Sequence, residues 1–80
     1  MNREEILEQL QPIFAEVFED DALVVTEATT ACDVEKWDSL THLTLICEVE
    51  MEFGMKFKMK EILEMQNVGA MVDIIARETA

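Results

Sequence analysis

The chain has 80 residues, half of them apolar, and six basic against eighteen acidic side chains give it a formal net charge of −12. That length supports one domain, 1–80, with one small core and no room for a deep catalytic cavity beside it. The surface charge repels nucleic-acid phosphates and anionic membranes, and no apolar run is long enough for membrane insertion. Protein partners with basic docking patches, met by electrostatic steering, are what such a surface favours. Cys32 and Cys47 show neither a CxxC spacing nor a secretory leader ahead of them. They point to a cytoplasmic monomer whose thiols are reduced and packed as small apolar residues.

Ile6, Leu7, Leu10, Phe14 and Val17, with Glu4, Glu5, Glu8 and Glu16 between them, place one apolar stripe on a first helix over about 2–18. Pro12 lies within it and predicts a kink or a missing hydrogen bond. Glu19, Asp20 and Asp21 follow, a poor helix end because acidic charge there opposes the dipole. Residues 19–38 hold no helical period, but Leu23, Val25, Val34 and Trp37 predict a long loop pinned to the core. From Asp38, a good N-cap, a second helix runs to 53 with Leu40, Leu43, Leu45, Ile46, Val49 and Phe53 on its apolar face, and Gly54 stops it. A short third helix over 59–64 follows three alternating lysines and turns Ile62 and Met65 inward. Asn67 caps a fourth helix over 67–78 on Val68, Met71, Val72 and Ile75, and Gly69 allows close approach of a neighbour. The fold class is all-α: an irregular four-helix bundle with a long loop between its first two helices and a short third helix.

Ser39 is the only serine in the chain and opens the second helix directly after Asp38. The first helical turn offers free N–H groups and the positive end of the dipole, a favourable place for a phosphodiester. Read alone, an Asp-Ser pair here is a cap and nothing more. In context, Trp37-Asp38-Ser39-Leu40 followed by Leu43, Leu45, Ile46, Val49 and Phe53 resembles the phosphopantetheine attachment site of acyl carrier proteins. Phe57, Ile62, Met65 and Asn67-Val68 fit the same family's third and fourth helices, so the resemblance spans the whole chain.

The resemblance implies a carrier rather than an enzyme, with a 4′-phosphopantetheine arm from coenzyme A joined covalently to Ser39 by a phosphopantetheinyl transferase. Asp38 and Leu40 complete the attachment motif. The arm's thiol would carry acyl intermediates to acyl-activating, acyltransferase or synthase enzymes, in lipid-related or specialised secondary biosynthesis. Thr41, His42, Glu48, Glu50 and Glu52 are the expected docking residues, His42 as a solvated residue bordering that surface. Val49, Ile62, Met65 and Met71 fall near positions that line the acyl cleft in that family, and their bulk suggests a short cargo. Thr41 and Thr44 stand where fatty-acid-synthase carriers place acidic residues, which favours a dedicated carrier over a housekeeping one. A Ser39–His42 dyad lacks a third member and an oxyanion site. The acidic loop lacks the calcium-loop spacing, so no metal is expected. Two alternatives remain: an aminoacyl or peptidyl (D-alanyl-type) carrier using the same Ser39, and a non-covalent adaptor whose Met-rich groove holds a partner helix.

Overall fold

The computed structural model describes residues 2–79. Four α-helices, α1 (Arg3–Val17), α2 (Ser39–Phe53), α3 (Met59–Glu64) and α4 (Val68–Glu78), surround one core, with a 3-10 turn at Ala31–Asp33 inside the long α1–α2 loop. No strand occurs among the described residues. The class is the all-α bundle that the periodicity predicts.

Each helix begins on a recognisable signal. Asn2 and Glu5 form a reciprocal capping box at α1, the Glu5 N–H donating to Asn2 Oδ1 at 2.9 Å and the Asn2 N–H to Glu5 Oε1 at 3.1 Å. Ile6, Leu10, Phe14 and Phe18, four apart, are all buried. Pro12 lies inside α1, which continues through it to Val17. Having no N–H, it removes one rung of the ladder without ending the helix. The acidic end that looked poor is closed by its backbone. Glu19 adopts a left-handed φ of 52°, its N–H donates to the Glu16 carbonyl, and the Asp20 N–H donates to that of Ala15. This is a Schellman closure without glycine.

The loop is pinned at several points. Val25 and Val34 are buried, and the Gln11 side-chain amide pairs with both backbone groups of Val25, accepting its N–H at 3.0 Å and donating to its carbonyl. Loop carbonyls then close α4: Val68 N–H donates to Thr29 at 2.9 Å and Gly69 N–H to Glu27 at 2.8 Å. A Cβ at Gly69 would stand 2.9 Å from that Glu27 oxygen, so the close approach expected of this glycine is real. Arg3 bridges Glu27 and Asp73, tying α1, loop and α4 together, and its hydrogen bond holds the Glu27 carboxyl below the usual carboxylate range.

Two expectations about side chains are corrected. Leu40 and Leu43 do not face inward but are 75% and 51% exposed, while Leu45, Ile46 and Val49 are buried. Leu40 and Val49 are nine residues apart, about two and a half turns, so a helix that buries one must expose the other. Cys32 and Cys47 are free and exposed rather than packed inside, because the helical phase that buries Val49 carries Cys47 outward. No helix among the described residues is long and apolar enough to cross a membrane.

Candidate functional site

The start of α2 is built by Asp38 and Thr41. The Asp38 carboxylate accepts the Leu40 and Thr41 N–H groups at 3.0 and 2.9 Å. In return the Thr41 hydroxyl accepts the Asp38 N–H at 2.8 Å and donates to the Lys36 carbonyl at 2.8 Å. The Thr41 N–H, then its hydroxyl, hold the Asp38 carboxyl below the ordinary aspartate value. Ser39 is the first residue of the helix and is exposed. Its hydroxyl takes no part in the cap and is left at the surface. Two of the N–H groups expected to favour a phosphate are already held by Asp38, so the dipole's field on a group at Ser39 is shared with that carboxylate.

Beside Ser39 lies an open groove of about 500 Å³, with Trp37, His42 and Leu43 on one side and Met59, Ile62 and Met65 on the other. Its size falls within the range of small-molecule sites, and its walls are largely apolar. Trp37 reaches it from the core, packing edge-on against Phe14 with ring centroids 5.5 Å apart and lying beside His42, nearly coplanar with it, at 5.9 Å. The Trp37 Nε1–H donates to His42 Nδ1 at 3.1 Å, and His42 Nε2 lies 3.1 Å from the Ile62 carbonyl oxygen. An indole N–H only donates, so Nδ1 accepts and the imidazole proton sits on Nε2, pointing at Ile62.

The expected site residues divide accordingly. Ser39, Asp38 and Leu40 come together at the exposed helix start, and Ile62 and Met65 line the groove. Val49 and Met71 are fully buried in the core and do not line it. His42 is not a solvated residue: both ring nitrogens are engaged and it is half-buried. Thr41 is committed to the cap, and the Glu50 carboxylate accepts the Phe57 N–H at 2.8 Å, so both serve the fold. Glu48 is half-buried and Glu52 exposed. The outermost stripe of α2 is instead Leu40, Thr44, Cys47 and Met51, all exposed. The Trp37–His42 pair escaped the sequence reading because a five-residue spacing across a loop–helix junction carries no periodic signal. The coincidence of the chain's only Trp and only His was its one trace. No cluster of potential metal ligands occurs among the described residues.

An exposed hydroxyl outside the cap, adjoining an apolar groove, fits a phosphopantetheine arm. The model of the family described as "phosphopantetheine attachment site" matches residues 8–75. The chain is 38% identical over 82 residues to an acyl carrier protein of Rubrobacter xylanophilus, covering all of both chains. It is 36% identical over 81 residues to one of Thermosynechococcus vestitus, covering all of this chain and 99% of that protein. The solution structure of a holo acyl carrier protein from Geobacter metallireducens superposes with a TM-score of 0.84 at 40% identity, over 90% of this chain and 83% of the other. The chain therefore belongs to the phosphopantetheine-attachment family, among its acyl carrier proteins. It is a non-catalytic carrier, and its cofactor is a covalently attached phosphopantetheine.

Proposed function

We propose that Ser39 is the attachment residue and that the chain carries an acyl group beside the groove between α2 and α3. The observation that carries this reading is the exposure of the only serine at the first position of α2, free of the cap around it. Asp38 and Thr41 hold the helix start rigid so that Ser39 is presented in one orientation. In the loading step the Ser39 oxygen forms a P–O bond with the β-phosphorus of coenzyme A. The pyrophosphate linkage breaks, adenosine 3′,5′-bisphosphate leaves, and the hydroxyl proton passes to the transferase. The attached group supplies a terminal thiol that holds the cargo as a thioester.

The apolar walls given by Trp37, Leu43, Met59, Ile62 and Met65 favour a hydrocarbon cargo over a charged aminoacyl one. The groove volume supports room beyond a two-carbon unit, and the bulky Val49 and Met71, buried in the core, do not narrow it. Docking falls on the outer stripe of α2, where Leu40 and Met51 are exposed beside Ser39's own helix face, flanked by Glu48 and Glu52. A phosphopantetheinyl transferase and acyl-handling enzymes with an apolar patch rimmed by basic residues match that surface. Lipid-related or specialised biosynthesis fits such a cargo.

The test is direct. Incubation with coenzyme A, Mg²⁺ and a broad-specificity transferase should add one phosphopantetheinyl unit to the wild-type mass and none to Ser39→Ala. An unmodified wild type, or a modified Ser39→Ala, would sink the assignment.

A further inference from the structure

α3 is held differently from its neighbours. None of its six residues is fully buried, and two side chains of other helices tie it down: Arg77 of α4 pairs with Glu61, and His42 of α2 meets the Ile62 carbonyl. In a helix this short Ile62 is among the last four residues, whose carbonyls find no partner within the helix. The half-buried Trp37 indole has a donor with the same need. A neutral imidazole, an acceptor on one nitrogen and a donor on the other, satisfies both at once.

We propose that His42 is a positioning residue for the carried group: by joining Trp37 to the Ile62 carbonyl it fixes the distance of α3 from α2, and with it the width of the groove beside Ser39. This rests on the carrier reading above. Without the bridge, two half-buried polar groups lose their partners, and α3 retains its partial packing and the Arg77–Glu61 pair, in which Arg77 is exposed and Glu61 half-buried. The wall formed by Met59, Ile62 and Met65 then moves relative to Trp37 and His42, and a cargo lying between them loses its seat.

His42→Leu keeps bulk and removes both hydrogen bonds, whereas His42→Gln keeps one acceptor and one donor. In the protein without its arm, a scalar coupling between the Trp37 and His42 ring nitrogens reports the bond. Hydrogen exchange of the α3 amides reports the tether: His42→Leu should speed it about tenfold relative to α1, and His42→Gln should restore much of the protection. Unchanged α3 exchange in His42→Leu overturns the proposal, and this readout does not depend on loading. In the loaded protein, hydroxylamine should cleave an octanoyl thioester more slowly than an acetyl one in the wild type and His42→Gln, with the difference erased in His42→Leu. A difference retained in His42→Leu also overturns it. If His42→Leu does not fold, His42→Asn, which stays polar but is too short to join Trp37 to the Ile62 carbonyl, decides on the same two measurements. The mass gain at Ser39 is checked first, so that failed loading counts against the carrier reading and not against His42.

Discussion

Asp38 and Thr41 cap each other across Ser39: the carboxylate takes the Thr41 N–H at 2.9 Å while the Thr41 hydroxyl takes the Asp38 N–H at 2.8 Å. Because the Thr41 N–H and hydroxyl and the Leu40 N–H favour the charged carboxylate, the folded chain binds the Asp38 proton less readily than the unfolded chain. A depressed folded value gives stability that is present above the unfolded aspartate value and lost as pH falls through the folded one. Acidification below about pH 4 should therefore lower the melting temperature more steeply in the wild type than in Asp38→Asn, which caps without titrating. Glu27 and Glu61, both held low by their arginine partners, act in the same direction in both proteins. Parallel melting curves for the two proteins across that range would show that the cap does not depend on charge.

Gln11 stands in for a neighbouring strand by pairing both backbone groups of the buried Val25. Gln11→Ala leaves those groups without partners in a part of the loop closed to water, at a cost of about 1–3 kcal/mol. The Val25 amide should exchange at least several-fold faster, with a smaller change at the core of α2. Retained Val25 protection in the variant would mean that apolar packing alone pins the loop.

Gly69→Ala weighs two opposed effects. Alanine gains about 1 kcal/mol of helix propensity, but its Cβ would stand 2.9 Å from the Glu27 backbone oxygen, and relieving such an overlap costs about 1–3 kcal/mol. The backbone oxygen cannot swing aside as a side chain could, so a net loss is expected, lowering the melting temperature by several degrees. An increase would show that the loop yields there without resistance.

The outer stripe of α2 separates affinity from salt dependence. Leu40→Ala, at a residue 75% exposed, should weaken transferase binding roughly tenfold at every ionic strength with little change in stability. Neutralising Glu48 and Glu52 with glutamine should instead flatten the salt dependence of association. Kinetics of transfer from coenzyme A across a salt series measure both, and a Leu40→Ala effect that vanishes at high salt would place the contact elsewhere.

The helices were legible in the sequence because their starts, stops and apolar stripes rest on local chemistry. Asp38 and Asn67 are caps wherever they precede a helix, Gly54 can take the left-handed φ of 61°, and Val68, Met71, Val72 and Ile75 share a face at any orientation of the bundle. Ser39, the only serine, was legible through the resemblance of Trp37-Asp38-Ser39-Leu40 to an attachment site, since an Asp-Ser pair by itself is only a cap. The tertiary structure decided which of several apolar residues on α2 turned inward, since Leu40 and Val49 compete for the core and helical phase admits one. It also decided what His42, Gln11 and Glu50 do, because their partners lie across gaps in sequence that no period spans. Periodicity fixes the relation of a residue to its own helix; only packing fixes what that helix meets.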